Sequence, residues 1–190
     1  MNSACYFYPR DGLTIVELLV TLAIISTLLG LTLANIPNWV ATTTLSHDRN
    51  KFATLIYTAR AAAVHLNQHV ILCPGNKLGC GPRDSWDQGA LVFADTNRNR
   101  KYDDGDAFVA RIDALQTKVT WRSFRNRKYL KFLPSGTTDW QNGHFKFCSN
   151  EVGDSRALQL VLNAAGRLYF SNDEDGDGIH EDVKGKKLVC

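Results

Sequence analysis

An acidic loop near the C-terminus has the residue types and the spacing of a cation site. Residues 173–182 contain three alternating aspartates followed at once by Gly178, the order in which calcium loops supply their first ligands and their sharp turn. Lys184 stands where such loops carry their last ligand, so the final carboxylate must come from elsewhere in the loop. The candidate calcium ligands are Asp173, Asp175, Asp177, Glu181 and Asp182. A solvated acidic hairpin that binds no ion is the alternative.

A second loop, residues 95–106, places oxygen-bearing side chains at the first, third, fifth, ninth and twelfth positions of the same pattern. Arg100 replaces the glycine expected at its sixth position, and Arg98 and Lys101 add positive charge. Asn and Asp side chains also close turns on their own backbone without any ion. We therefore predict a structural turn here rather than a calcium site.

Residues 118–132 contain six Lys or Arg, no acid and four aromatic side chains, although the whole chain has only 22 Lys plus Arg against 19 Asp plus Glu. Cations that neutralise phosphates, interleaved with aromatic platforms, are typical of nucleic-acid surfaces. The alternative is a β-hairpin that turns near Asn126, with its aromatic side chains inward and its charges in solvent. The candidate DNA contacts of this stretch are Arg122, Arg125, Arg127, Lys128 and Lys131.

Glu17 stands at the start of a long apolar segment. Residues 18–40 contain no Asp, Glu, Lys, Arg or His, and as a helix they are long enough to cross a bilayer core of about 30 Å. The segment is longer than the apolar core of a removable signal, so a membrane anchor is the simpler interpretation. A carboxylate in such a segment is costly and requires a partner, which a plain anchor does not explain.

The pattern beyond this segment predicts one long helix followed by strands. Apolar residues from Leu45 to Leu66 recur at helical spacings, which indicates a helix over about 14–66, with Pro37 as an expected kink or interruption. Short segments rich in β-branched and aromatic residues then alternate with turn signals, which is typical of a sandwich or of strongly bent antiparallel sheets. The predicted strands are 69–73, 90–94, 107–112, 119–124, 129–133, 145–148, 158–162 and 167–171.

The N-terminal residues resemble the start of type IV pilin precursors. Gly12, Thr14, Glu17 and Leu18 match the superfamily's segment, with Leu13 where phenylalanine is usual. The resemblance implies that a prepilin peptidase cuts between Gly12 and Leu13 and methylates the new amine of Leu13. It also implies that Glu17 pairs with the N-terminal amine of a neighbouring subunit, because opposite charges in hydrocarbon are tolerable only when each finds the other.

The rest of the chain resembles the minor pilins of FimT/FimU type and the H-type pseudopilins (GspH) of type II secretion. The matching features are Cys-Pro at 73–74, Trp86, the segment 89–95 and Ala-Gly-Arg at 165–167. The resemblance implies an α+β, pilin-like fold in which a long helix packs on a β-rich head of antiparallel sheets. It divides the chain into a leader (1–12), a helix (13–66, with 18–40 as transmembrane segment or fibre core) and a head (67–190).

The resemblance predicts a structural subunit, not an enzyme, that assembles through its N-terminal helix into a type IV pilus or a type II secretion pseudopilus, in initiation or at the tip. Its expected partners are other pilins or pseudopilins, the prepilin peptidase and the inner membrane. A single pass through that membrane would leave the head in the periplasm before assembly. No phosphate loop or nucleophile elbow occurs, and His65 and His69, four apart on the predicted helix, lack the glutamate of a hydrolytic zinc motif.

Two other functions stay open at this point. Some FimT-like minor pilins bind DNA during natural transformation through a C-terminal Gly-Arg-x-Arg. The match here ends in Gly166-Arg167-Leu168-Tyr169, so Arg167 is a candidate DNA contact but the second arginine is missing. The other alternative is an anchored calcium-binding domain that does not polymerise.

Four cysteines remain after Cys5, which lies in the predicted leader. An exported head allows disulfides, and four cysteines permit three connectivities. We favour Cys73 with Cys80, which closes a short loop rich in Pro and Gly, and Cys148 with Cys190, which ties down the C-terminus. The longer loop would stabilise the head by roughly 2–4 kcal/mol. A zinc site built from all four is the rival, although the usual closely spaced cysteine pairs are absent.

Overall fold

The computed structural model describes residues 12, 14–33, 36–76, 78–150 and 155–190. The chain divides into two compact units, residues 1–40 and 41–190. The helical region is described as α1 (Ile15–Leu33) and α2 (Ile36–Leu66). The point at which the predicted helix over 14–66 would be continuous, Ala34 and Asn35, lies outside the described residues.

Helix α1 begins directly after Thr14, whose hydroxyl oxygen accepts the backbone N–H of Glu17 at 3.2 Å. A threonine followed three residues later by a glutamate is the sequence of a capping box, and the acid lies at the positive end of the helix dipole. The ten large apolar side chains between Ile15 and Leu29 are each more than half exposed. Within the described ranges, no helix combines the length and the hydropathy that a bilayer crossing needs.

The second unit is organised around the buried face of α2. Leu45, Phe52, Ile56 and Ala63 are at most 2% exposed, as their spacing predicts. Leu66 is 43% exposed, because the helix ends there and the chain turns at the next residue. His69 therefore precedes the first strand, and its predicted place on the helix beside His65 is wrong.

The strands that follow match the predicted segments closely. Their bounds are β1 (Val70–Asn76), β2 (Gly79–Cys80), β3 (Ala90–Ala94), β4 (Ala107–Ile112), β5 (Lys118–Ser123), β6 (Leu130–Phe132), β7 (Gly143–Cys148), β8 (Ala157–Leu162) and β9 (Leu168–Phe170). All eight predicted strands are found. The additional strand, β2, has only two residues and pairs with the end of β1.

The strands form two antiparallel sheets. One has the order β2-β1-β3-β4, with β6 also paired to β1, and the other has the order β5-β7-β8-β9. Strands β5 and β6 thus belong to different sheets, and the alternative of a single hairpin over residues 118–132 is wrong. Arg125 and Asn126, with φ of 59° and 58°, turn the chain between the two sheets. The α+β class and the antiparallel sheets agree with the prediction.

An aromatic cluster joins α2 to the inner face of the second sheet. The Phe52 ring lies 4.6 Å from the Phe145 ring and 5.8 Å from the Trp86 ring, centroid to centroid. Trp121 stacks on Phe145 at 4.1 Å. Because these side chains are at most 3% exposed, they supply much of the apolar area that the second unit buries.

Two disulfides close loops of the second unit. Cys73 is bonded to Cys80 and Cys148 to Cys190, with sequence separations of 7 and 42 residues. These are the two pairs predicted from the sequence, and they differ from the other connectivities and from a four-cysteine zinc site. The second disulfide lies in a small buried cluster with Ala157 and Leu188, so the C-terminal segment is held against β8.

Candidate functional site

Four of the five predicted calcium ligands converge in one cluster. Ligand oxygens of Asp173, Asp175, Asp177 and Glu181 all lie within 4.8 Å of one another. Glu181 is 7% exposed, whereas Asp175 and Asp177 are exposed. Four carboxylates at this separation repel one another strongly unless a cation compensates them. The arrangement has the oxygen ligands that could hold a cation such as calcium.

The loop holds its shape through backbone N–H groups that point at its own carboxylates. Asp173 accepts the N–H groups of Gly176 and Gly178, both at 2.8 Å, and Asp177 accepts that of Ile179 at 2.8 Å. Gly176 and Gly178 have φ of 77° and 86°, a region that glycine enters without steric cost. These turns place the aspartate oxygens on the same side of the loop.

Asp182 does not belong to the cluster. Its carboxylate accepts the backbone N–H groups of Lys184 at 2.8 Å and of Lys186 at 3.0 Å, and these bonds hold its pKa below the ordinary value. The side chain therefore closes the turn that follows the loop. Of the two residues proposed as the last ligand, Glu181 lies in the cluster.

Lys187 is the residue of this region that the motif did not indicate. Its ammonium group lies 3.4 Å from Asp175 Oδ2 and also donates to Asp177 Oδ2. The hydrogen bond between Lys187 and Asp177 lowers the pKa of the carboxyl and raises that of the ammonium. The only signal in the sequence was an excess of lysines directly after the acidic loop.

The loop at residues 95–106 is closed by its own side chains, as predicted. Asn97 and Asn99 both donate from their amide nitrogens to the carboxylate of Asp103, at distances down to 2.6 Å. These bonds lower the pKa of Asp103. Asp95 accepts the N–H of Arg100, which adopts φ of 63° where calcium loops have glycine. The two amide groups thus hold the Asp103 carboxylate inside the loop.

The structure separates the predicted DNA contacts into two groups. Arg127 Nη1 lies 3.3 Å and Lys131 Nζ 3.6 Å from the same oxygen of Asp139, so both cations are engaged in a partly buried ion-pair network. Three others are exposed: Arg122, Arg125 and Lys128. Arg167 is also exposed but precedes β9, at the opposite edge of its sheet from Arg122, about 14 Å away at normal strand spacing.

Lys128 of the exposed group lines a cationic cavity. Its volume is about 300 Å³, and Lys128 and Tyr129 contribute to it together with the loop closed by the first disulfide. Arg100 and Lys101 add two further cations, and the Arg100 guanidinium donates to the Tyr129 hydroxyl at 3.2 Å. This combination of cations and tyrosine rings was not predicted, because its parts come from three separate segments of the sequence.

The predicted processing site is only partly described. Gly12 is exposed, Leu13 lies outside the described residues, and the Glu17 side chain is exposed in the first turn of α1. Among the described residues, none is found bonded to the Glu17 carboxylate. Its backbone N–H donates to the hydroxyl of Thr14.

With the fold and these sites in place, the comparisons with known proteins define the class. The family model of the type II transport protein GspH matches residues 48–166. The chain therefore belongs to the GspH family, which groups structural subunits of the pilin and pseudopilin type rather than enzymes. Such subunits associate with other pilins and assemble at the cell envelope or surface.

Two individual proteins are similar to this chain. The pilin-like protein PilA1 of Thermus thermophilus is 39% identical over 102 residues, which cover 53% of this chain and 58% of PilA1. The chain thus matches less than two thirds of that relative's length. The type IV minor pilin FimU of Pseudomonas aeruginosa superimposes with a TM-score of 0.50 at 15% identity, covering 69% of this chain and 92% of FimU. At that identity the likeness shows a shared pilin-like fold.

Proposed function

We propose that this protein is a minor pilin or pseudopilin that assembles through its N-terminal helix into a type IV pilus or a type II secretion pseudopilus. The observation that carries the proposal is the surface of α1. Ten large apolar side chains are more than half exposed around this helix, and Glu17 is its one charged residue. An apolar surface of this extent needs a cover of lipid or of other subunits.

The Glu17 carboxylate sets the register between neighbouring subunits. Glu17 lies in the first turn of α1, within a few residues of the predicted new N-terminus at Leu13. A cationic amine on a neighbouring helix would neutralise it, and any other alignment would leave both charges uncompensated in hydrocarbon. The proposal has three further parts. A prepilin peptidase cuts the chain between Gly12 and Leu13, and the protein then lies in the inner membrane with its head in the periplasm. In the fibre it takes part in initiation or occupies the tip.

The test compares sheared surface fibres with the cell envelope by mass spectrometry of the N-terminal peptide. A methylated peptide that begins at Leu13 and is recovered in fibres is expected for a pilus subunit, and the same peptide confined to the envelope is expected for a secretion pseudopilus. An intact Met1 terminus in both fractions contradicts the proposal.

Glu17→Ala tests the charge-pairing step. The variant is expected to reach the envelope as the unchanged chain does but to be strongly depleted from fibres. Glu174→Ala removes an exposed acid from the head and serves as the control, with fibre incorporation preserved. If Glu17→Ala enters fibres normally, the charge does not set the register. An anchored calcium-binding domain that never polymerises predicts instead that neither chain is found in fibres.

DNA binding is a second candidate function, favoured by the cationic cavity that Lys128 lines and by the exposed cations of residues 118–132. Within the part of the chain that the structure describes, Arg122, Arg125 and Lys128 have no ion pair like those that engage Arg127 and Lys131. Tyrosine rings beside cations offer the stacking and phosphate contacts that single-stranded nucleic acids use. We infer weak, sequence-independent binding that falls steeply with salt.

A gel-shift titration with single-stranded DNA at low salt tests this candidate. The triple charge reversal of Arg122, Arg125 and Lys128 to Glu is expected to abolish the shift, whereas Lys51→Glu on α2 is expected to change it little. Unaltered binding by the triple variant, or no shift at all, refutes the DNA candidate without affecting fibre assembly.

A further inference from the structure

The strongest observation outside the assembly helix is a buried carboxylate oxygen in the acidic loop. Glu181 is 7% exposed, and its Oε2 accepts the backbone N–H of Glu174 at 2.8 Å. Its Oε1 is buried and has no hydrogen-bond partner among the described residues. A buried carboxylate oxygen without a partner is costly, and a cation that contacts it would remove that cost.

The neighbours of that carboxylate decide which kind of group fits. A carboxylate oxygen of Glu181 lies within 4.8 Å of ligand oxygens of Asp173, Asp175 and Asp177, so the buried acid faces the cluster. The cluster offers oxygen and no nitrogen or sulfur, because the His180 ring is turned toward Ser171 and bonds its carbonyl oxygen at 2.7 Å. A set of carboxylates on a flexible loop suits a hard cation with many irregular oxygen contacts, which is the coordination that calcium prefers over magnesium or zinc.

Lys187 is placed to oppose such an ion. Its ammonium group contacts Asp175 and Asp177, two of the four clustered acids. A single positive charge compensates only part of the cluster, whereas a divalent ion in its centre would contact all four acids. The lysine is therefore a built-in competitor for the same carboxylates.

The backbone holds Lys187 opposite the loop while its side chain can leave. Residues Glu181 and Lys187 form an antiparallel bridge, and the N–H of Leu188 donates to the carbonyl of His180 at 2.8 Å. Leu188 is buried next to the disulfide of Cys190, which fixes the end of the chain. The Lys187 side chain is 48% exposed, so it can rotate into solvent without moving this segment.

We propose that Asp173, Asp175, Asp177 and Glu181 form a calcium site in the head, and that Lys187 competes with calcium for two of these carboxylates. The site is independent of the proposed fibre assembly. Since the head of such a subunit would face the periplasm or the exterior, an affinity in the range of extracellular modules, with Kd of about 10⁻⁴–10⁻³ M, is expected.

The test is an isothermal titration of calcium chloride into the purified full-length chain, kept in detergent micelles because α1 is apolar. The unchanged protein is expected to bind one calcium ion. Glu181→Gln and Asp175→Asn are each expected to weaken binding by about tenfold or more, since each removes a ligand charge. Glu174→Gln is the matched control, because it makes the same charge change in the same loop outside the cluster, and it is expected to bind within about twofold of the unchanged protein.

Lys187→Met tests the competition. It is expected to tighten calcium binding several-fold and to increase the thermal stabilisation that calcium gives, because the ion no longer displaces an ammonium group. If the change at the buried Glu181 prevents folding, Asp175→Asn still tests the calcium site, because Asp175 is exposed.

The two parts of the proposal fail differently. If neither the unchanged protein nor Lys187→Met binds calcium at 10 mM, roughly ten times the weakest expected Kd, the site is refuted. Equal binding of magnesium refutes the assignment to calcium. If the unchanged protein binds calcium and Lys187→Met binds it no more tightly, the site stands and the competition is refuted.

Discussion

Asp48 of α2 and Thr117 before β5 are joined by two hydrogen bonds across 69 residues of sequence. Oδ2 of Asp48 accepts the backbone N–H and the hydroxyl of Thr117, each at 3.0 Å, and also the backbone N–H of Gln116 at 2.9 Å. Asp48 is 4% exposed and Thr117 2% exposed. One buried carboxylate thus satisfies three donors and fixes the second sheet to the helix, so its role is structural.

Asp48→Ala is expected to destabilise the second unit by about 3–5 kcal/mol, because it leaves the two buried donors of Thr117 and the partly buried N–H of Gln116 without an acceptor. Asp48→Asn keeps one acceptor oxygen and is expected to cost about half as much. The measurement is urea denaturation of the full-length chain in detergent, followed by tryptophan fluorescence. Asp113→Ala, an exposed acid paired with Arg111, is the control and should change stability by less than about 1 kcal/mol.

Asp48 is also an example of a feature that the sequence did not predict. Asp48 lies off the apolar stripe of α2, and a charged residue in that position is normally a solvated one. Its burial depends on Gln116 and Thr117, which a helical pattern cannot reveal. The stripe itself and the strands were predictable, because periodicity within a segment reports which face is buried. The pairing of segments was not predictable, and residues 118–132 show this most clearly.

The acidic loop and the DNA candidates show the same contrast. Spacing along the chain located the clustered aspartates correctly, since the ligands of a loop are close in sequence. Spacing could not predict that Asp182 closes a turn or that the Lys187 side chain contacts the cluster. It also could not predict that Asp139 forms an ion pair with Arg127. Each of these depends on contacts between a residue and a segment whose position is set by the whole fold.

The Ala-Gly-Arg segment at residues 165–167 is one of the features that resemble the family, and the position of Gly166 gives a physical reason for its glycine. Its φ is 76°, and a Cβ on it would lie 2.5 Å from the carbonyl oxygen of Gly136. Gly166→Ala is therefore expected to cost about 2–4 kcal/mol, from the strain of a positive φ and the clash with rigid backbone. Gly185→Ala is a matched control with φ of 74° and open space around it, and should cost only the strain, about 1–2 kcal/mol. Equal losses in thermal unfolding would show that the close approach to Gly136 is unimportant.

The two disulfides are expected to contribute unequally. The Cys148–Cys190 bond spans 42 residues and the Cys73–Cys80 bond 7. Chain entropy alone predicts that the longer loop contributes about 4 kcal/mol and the shorter about 2.5 kcal/mol. Urea midpoints of the two double Cys→Ser variants measure this difference. A larger loss from the shorter loop would mean that packing of Cys73, which is 1% exposed, outweighs the entropy of the unfolded chain.

The stability of the second unit is expected to fall as the pH drops below about 6.5. Burial lowers the pKa of His144, and Arg122 and Lys146 on either side lower it further, although Asp182 acts in the opposite direction. Burial also lowers the pKa of His69, helped by Lys131 and Arg98, although Asp95 and Asp139 act in the opposite direction. Since the unfolded chain takes up these protons first, its population grows as the pH falls through the ordinary histidine pKa of 6.5.

The carboxyls with lowered pKa values do not interfere with this measurement. Asp103, Asp177 and Asp182 titrate below their ordinary value of 3.8, so their contribution is lost only at lower pH. Urea midpoints between pH 7.5 and 5.5 therefore isolate the histidines. His144→Gln is expected to flatten the pH dependence, whereas His65→Gln, at an exposed position of α2, should leave the slope unchanged. An unaltered slope in His144→Gln would assign the effect to His69, because its buried Nδ1 has no partner in the described part of the chain and is desolvated in the folded state.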